Sequence, residues 1–161
     1  MSESACQSHL MFLYGGDVLH CLLEGSLSRI SINQALKRCL ALLKKHPEVS
    51  YLVFDVEDAK ASGLSVIDIR QLVEDSRSLF RVAPKLVILG VASRDLEFGL
   101  MRMWDSMVMA PRIGVHPGQV VLFRDRMDTF KHLSARLSWI MVQRNRGRVV
   151  VGEGSVLDEA P

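Results

Sequence analysis

A chain of 161 residues is long enough to bury a hydrophobic core within one domain. Its content of 48% hydrophobic and 24% charged residues is typical of a globular protein and excludes an intrinsically disordered chain. The formal net charge of +2 is too small to indicate a protein that binds nucleic acid.

The N-terminal segment does not have the pattern of an export signal. Residues 1–9 contain no lysine, no arginine and no apolar core, and no apolar run in the chain approaches the roughly 20 residues of a membrane-spanning helix. Cys6, Cys21 and Cys39 are odd in number and lack paired spacing, which favours free thiols in a reducing compartment. We therefore predict a cytoplasmic protein without membrane insertion, in which residues 1–9 form a flexible segment.

Two short apolar runs open the ordered part of the chain, at residues 10–14 and 18–23. Gly15 and Gly16 lie between them, and glycines supply the positive φ angles of a tight turn, so the pattern predicts a β-hairpin. A helix is expected next, because apolar residues recur at helical spacing from Ile32 to Leu43. Ser28 or Ser31 is its expected cap.

Buried-type strands and amphipathic helices then alternate along the chain. Strands are predicted at residues 51–56, 86–91 and 120–123, each followed by a segment of helical periodicity. This alternation predicts an α/β fold of order β-β-α-β-α-β-α-β-α, with a single-layer, mostly parallel mixed sheet and helices on its faces. The domain is expected to cover residues 10–143. Residues 144–161 are polar and glycine-rich, and we predict a C-terminal tail there.

Residues at the joints of this pattern are similar to those of one known family. They occur at residues 23–28, at residues 51–56 with the Ala61-Ser62-Gly63-Leu64 segment that follows, and at residues 95–104 with 120–125. In this order the chain resembles a STAS domain (sulphate transporter and anti-sigma-factor antagonist), and within that family its SpoIIAA-like branch. The resemblance implies a non-catalytic regulatory module that recognises a protein partner in a bacterial cytoplasm.

The resemblance also implies where the partner would bind. In anti-sigma-factor antagonists an Asp-Ser-Ser/Thr-Gly segment opens the second helix and is phosphorylated by a partner kinase. The corresponding Lys60-Ala61-Ser62-Gly63 segment keeps the serine and the glycine but lacks the acid and one hydroxyl group. The expected partner-binding residues are Ser62, Gly63 and Leu64, with Ser62 as the candidate phosphorylation site. The alternative is that Ser62 and Gly63 form only the turn before the helix.

The third predicted helix carries apolar residues on two faces. One stripe contains Leu96, Leu100, Met103 and Met107, and the other contains Phe98, Met101 and Trp104. Packing against a sheet requires only one such face, and methionine suits variable apolar contacts. We therefore expect a ligand site or an interface at Phe98, Met101, Trp104 and Met107.

Two interpretations of this helix stay open. It covers a pocket, which would make the protein a carrier or sensor of a small apolar ligand, as in Sec14-type lipid-binding domains. Otherwise it docks a protein partner or a second copy of the chain. A cavity beneath the helix would favour the ligand, and a filled core with an exposed patch would favour the partner.

The sequence contains no pattern that indicates catalysis. It lacks a nucleophile elbow, a phosphate-binding loop and a dinucleotide fingerprint, and its five histidines lack metal-ligand spacing. Asp55, Glu57 and Asp58 follow a predicted parallel strand, where open α/β sheets place their ligands. Solvated loop acids are the favoured interpretation of these three residues, over a metal or phosphoryl site. We expect no enzyme, no cofactor and no metal.

Overall fold

A computed structural model describes residues 5–108 and 119–153 of the chain. The strands are β1 (Gln7–Leu13), β2 (Val18–Ser26), β3 (Tyr51–Asp55), β4 (Ala59–Lys60), β5 (Val87–Val91) and β6 (Val120–Phe123). The helices are α1 (Arg29–Lys45), α2 (Val66–Val82), α3 (Asp95–Val108) and α4 (Arg126–Glu153). The chain forms two compact units, Met1–Arg126 and Met127–Pro161. All of these strands and the helices α1 to α3 belong to the first unit.

The first hairpin is formed as predicted, with β1 and β2 antiparallel from the pair Gln7–Glu24 to the pair Leu13–Val18. Gly15 and Gly16, with φ angles of 69° and 99°, make the turn. The strand begins at Gln7, so the prediction of a flexible segment over residues 1–9 is wrong for its last residues. Polar side chains there do not prevent pairing, because β1 lies at the edge of the sheet, where they reach solvent.

The predicted α/β class with a mostly parallel mixed sheet is confirmed. The strand order is β1-β2-β3-β5-β6, and every pair after the first hairpin is parallel. The short strand β4, which the sequence analysis did not predict, pairs with the end of β2. The strands β2, β3, β5 and β6 lie side by side in the order of the chain. Right-handed crossovers between them therefore place α1, α2 and α3 on the same face of the sheet. There the three helices pack side by side.

Serine capping boxes fix the starts of two helices. Ser28 caps α1 and Ser31 reciprocates, so both candidate caps take part. Ser65 caps α2 by accepting a hydrogen bond from the Asp68 amide, and the Asp68 carboxylate accepts one from the Ser65 amide. Each box satisfies backbone N–H groups that have no partner within the helix. Both helices begin a few residues after a strand ends, and so near the carboxyl ends of the strands, where a binding site is expected.

The core of the first unit lies between the sheet and the three helices. The apolar stripes of α1 and α2 are buried there, including Leu36, Cys39, Leu72 and Leu79. They meet alternate residues of the strands, such as Leu19, Cys21, Leu52 and Ile88. The predicted helical and strand periodicities therefore mark the buried faces correctly in this part of the chain.

The second unit contains α4 from Met127 onward. The helix runs to Glu153, beyond residue 143, after which we predicted a tail. The composition of residues 144–153 does not explain this helix, because two glycines, three valines and an asparagine outnumber the good helix formers there. Residues 154–161 of the predicted tail lie outside the described residues. In the described ranges no helix is both long and apolar enough to cross a membrane.

Candidate ligand-binding site

An apolar cavity of about 80 Å³ lies inside the first unit, between the sheet and helices α1 to α3. Its walls are almost entirely hydrocarbon. The strands contribute Leu52, Phe54, Ile88, Gly90 and Leu122, and the helix α3 contributes Leu100, Met101 and Trp104. The cavity therefore lies beneath the helix for which the sequence predicts either a pocket or a docking surface.

Gly90 in β5 forms part of the wall beneath α3. A Cβ atom at this position would lie 2.7 Å from Leu122 Cδ2 and 3.0 Å from Met101 Sδ. Real Cβ contacts are longer than this, so a side chain at position 90 would displace both neighbours. Glycine lets Leu122 and Met101 approach the sheet, and it keeps the wall at this point free of a side chain.

Two polar side chains at the cavity satisfy each other. Trp104 Nε1 donates a hydrogen bond of 3.1 Å to Ser76 Oγ, and Ser76 Oγ donates one of 2.6 Å to the carbonyl oxygen of Leu72. The Ser76 hydroxyl is thus used as both donor and acceptor. These hydrogen bonds hold the indole of Trp104 against α2. The Trp104 N–H and the Ser76 hydroxyl already have partners, so neither group needs a hydrogen bond from a ligand.

Glu97 is the one charged-type residue among the residues that line the cavity, and one of its oxygens has no hydrogen-bond partner among the described residues. Its side chain is 5% exposed, and Oε1 accepts a hydrogen bond of 2.8 Å from the Ala61 amide. Oε2 is buried and has no hydrogen-bond partner among the described residues. A buried polar atom without a partner costs on the order of 1–3 kcal/mol, and more when it is charged. The cavity therefore combines apolar walls with one unsatisfied oxygen.

The Ala61–Leu64 segment lies at one end of the cavity. Ala61 and Leu64 both line it, whereas Ser62 and Gly63 are exposed. The Leu64 amide donates a hydrogen bond of 3.1 Å to the Ala61 carbonyl oxygen, which closes a turn before α2. The predicted turn is therefore present, and the Ser62 hydroxyl group lies where another protein can reach it.

Exposed apolar side chains surround this turn. Ile30 in the first turn of α1 is 64% exposed, and Val66 and Ile67 in the first turn of α2 are 46% and 69% exposed. Arg29 Nε and Asp68 Oδ1 lie 3.6 Å apart, so these two helix starts are neighbours. The edge thus presents an apolar surface beside Ser62.

The structure brings together only part of the predicted set on α3. Met101 and Trp104 line the cavity, whereas Phe98 and Met107 pack against the core without lining it. The ring of Phe98 also lies 4.0 Å from the Arg124 guanidinium, in a cation–π contact. Leu96, which we placed on a buried stripe, is 54% exposed, because the face toward the sheet contains Glu97, Met101 and Trp104 instead.

A second polar cluster lies where β3 ends. Asp55 is fully buried; its Oδ2 lies 3.1 Å from His20 Nε2, and Arg126 contacts both of its oxygens. Arg126 also lies 2.7 Å from Asp58 Oδ2 and 3.4 Å from Glu57 Oε2. The single guanidinium of Arg126 therefore pairs with all three acids. No group of three metal-ligating residues occurs in the described ranges.

The charge of Asp55 is stabilised by its partners. Burial acts to raise the pKa of Asp55, but hydrogen bonds from His20, Arg126 and the Glu57 amide outweigh it, and the pKa lies below its ordinary value. The same carboxylate raises the pKa of Arg126. Asp55 and Glu57 are thus not the solvated loop acids that the sequence suggested, whereas Asp58 keeps half of its side-chain surface exposed. Arg126 joins the three acids in one ion-pair network.

Sequence reasoning missed Glu97, Gly90 and Arg126. The sequence contains a signal for Glu97. Met101 and Trp104 follow it by four and seven residues, which is helical spacing, so the three residues share one face of the helix. An acid on an apolar face indicates either a buried network or a site. No such pattern marks Gly90 or Arg126, whose roles depend on contacts between distant segments.

Comparison with known proteins adds no assignment to this site. No protein-family model matches the sequence, and no curated protein is detectably similar to it. The cavity, Glu97 and the exposed edge around Ser62 are therefore the features of the protein that indicate a function.

Proposed function

We propose that the protein is a non-catalytic carrier or sensor that binds a small apolar ligand in the cavity beneath α3. The observation that supports this function most is the apolar cavity of about 80 Å³ lined by Met101 and Trp104. The pocket is partly open to solvent, so a ligand that fills it removes apolar wall surface from water, which is favourable. A ligand that fills it stabilises the folded state by mass action.

The cavity volume restricts the buried part of the ligand. An apolar cavity of about 150 Å³ admits benzene, and this one has roughly half of that volume. A short branched hydrocarbon group suits the space as it stands. Met101 is unbranched and can change rotamer, which would widen the cavity for a larger group.

Titration of methyl-labelled methionine with small apolar probes, followed by NMR, tests the proposal. We expect isopentyl alcohol to shift the Met101 methyl resonance saturably and at lower concentration than benzene, while the exposed Met11 methyl stays in place. The variant Gly90→Ala should weaken binding, because the new methyl group displaces Leu122 and Met101 at the wall.

Gly99→Ala is the matched control for this variant. It adds the same methyl group to α3 at a position where no atom lies within 4 Å of the new Cβ, so binding should persist. A wild-type Met101 resonance that responds to none of the probes would refute a ligand site in the cavity.

A second candidate function is the docking of a protein partner, as in a regulatory module of a bacterial cytoplasm. The exposed apolar side chains of Ile30, Val66 and Ile67 beside Ser62 favour it. The resemblance of the sequence to the SpoIIAA-like branch of STAS domains supports the same surface.

Affinity purification from the native host tests the docking function. The Ile67→Glu variant should lose a partner that wild type retains, because it puts a charge in the centre of this apolar edge. Met11→Glu, at a half-exposed apolar position on β1, is the control and should retain it. Equal recovery with both variants would exclude this surface.

A further inference from the structure

The chemistry of the cavity restricts the class of its ligand. Apart from the Ser76–Trp104 pair, which is internally satisfied, Glu97 supplies the polar part of the wall. Its Oε1 is used by the Ala61 amide, and its Oε2 has no partner among the described residues. Buried polar groups in proteins are nearly always hydrogen-bonded, so a missing partner at a cavity points to a group that the ligand brings.

A carboxylate oxygen accepts hydrogen bonds, so the partner that Oε2 lacks is a donor. Glu97 lies in the first turn of α3, where the helix dipole favours negative charge, and the Ala61 amide donates to it. No ion pair with Glu97 occurs in the described ranges, so its charge is not balanced by a neighbouring lysine or arginine there. A cation that enters the cavity would supply both the donor and the balancing charge.

We propose that the ligand is an amine, a short apolar body with a protonated amino group that pairs with Glu97 Oε2. This inference rests on the proposed ligand-binding function. The apolar walls formed by Leu52, Ile88 and Met101 take the hydrocarbon part, and the ammonium group reaches the carboxylate at the Ala61 end. The ammonium loses hydration on entry, but it meets a carboxylate that the protein has already desolvated.

The test compares three probes of the same shape that differ only in the polar group. Isopentylamine, isopentyl alcohol and isovalerate are each titrated into the full-length protein at neutral pH, with affinity read from the Met101 methyl resonance. We expect the amine to bind about tenfold more tightly than the alcohol, because a charge-assisted hydrogen bond is roughly twice as strong as a neutral one. Isovalerate should bind weakest, because it would place two carboxylates together.

Glu97→Gln is the decisive variant, because it keeps a carbonyl oxygen for the Ala61 amide and removes the charge. The preference for the amine over the alcohol should disappear in it, while the alcohol still binds. Asp95→Asn is the matched control, since Asp95 is an acid in the same first turn whose side chain is 96% exposed, and its removal should leave the preference intact.

The outcomes separate this inference from the proposed function. Equal binding of amine and alcohol by wild type, or a preference that survives Glu97→Gln, overturns the amine and leaves the ligand cavity standing. Tightest binding of isovalerate also overturns it, since the site would then prefer an acid to an amine. Failure of every probe, including benzene, overturns the ligand-binding function and the inference with it. The wild-type comparison decides the matter even if the variant does not fold.

Discussion

The ion pair between Asp55 and Arg126 gives the strongest prediction about stability. Asp55 is fully buried, whereas the Arg126 side chain keeps 29% of its surface exposed. Arg126→Ala would leave a buried carboxylate with His20 and the Glu57 amide as its remaining partners. Removing one member of a buried pair costs about 3–5 kcal/mol, and we expect about 3 kcal/mol because water can reach the vacated position.

Urea denaturation followed by circular dichroism measures this loss in the free energy of unfolding. Arg124→Ala is the control, because Arg124 forms an ion pair of similar length, 2.6 Å, with an exposed carboxylate, Asp95. Exposed ion pairs contribute little, and the cation–π contact with Phe98 that is also lost contributes about 0.5–1 kcal/mol, so the control should lose less stability than Arg126→Ala. Equal losses in the two variants would refute the argument that burial makes the Asp55 network important.

The same network predicts how stability depends on pH. The pKa of Asp55 in the folded protein lies below its ordinary value, which is about 3.9 in the unfolded chain. The unfolded chain therefore takes up the proton first as pH falls, so the contribution of Asp55 is complete above about pH 5 and declines in more acidic solution. In Asp55→Asn, the free energy of unfolding should fall less steeply with acid. An unchanged acid dependence would show that Asp55 is not responsible for it.

Three smaller changes follow from local contacts. Gly99→Ala should raise the free energy of unfolding by about 0.5–1 kcal/mol, since it replaces an exposed helical glycine and meets no neighbour; a thermal melt that shows no gain would contradict this. Ser65→Ala should lower it by about 1 kcal/mol through loss of the α2 cap, whereas Ser65→Asp, which can still cap, should retain most of it. In the native protein a maleimide should label Cys6 but neither Cys21 nor Cys39, which are buried, as mass spectrometry can show. The hydrogen bond to Cys39 and burial raise the pKa of the Cys21 thiol, so it reacts slowly. Rapid labelling of Cys21 would contradict its burial in the core.

The sequence predicts most of the fold because burial on one face leaves a period in the pattern of apolar residues. The stripe from Ile32 to Leu43 and the strand at residues 51–56 are both found where their periods place them. The two residues of β4 are too few to show a period. The helix beyond residue 143 was missed for a different reason, because its residues show neither an apolar stripe at helical spacing nor a high helix propensity.

The site was harder to predict than the fold because its residues meet through space. Met101 and Trp104 could be identified from the two apolar faces of α3, but the orientation of that helix decides which face meets the sheet. Leu96 is exposed although the other residues of its stripe pack against the core, and Glu97 is buried. An acid at a buried position contradicts the hydrophobic pattern, and such local contradictions are expected where a protein keeps a functional group.

Glu97 links the two surfaces on which the candidate functions depend. Glu97 lines the cavity, and its Oε1 accepts a hydrogen bond from the Ala61 amide at the start of the turn that presents Ser62. A ligand that pairs with Oε2 draws electron density away from Oε1, and so changes the strength of the hydrogen bond from Ala61. The turn and the exposed Ile67 beside it would then differ between the empty and the occupied protein. A sensor needs such a connection, whereas a simple carrier does not, and the position of this one carboxylate therefore favours the sensor.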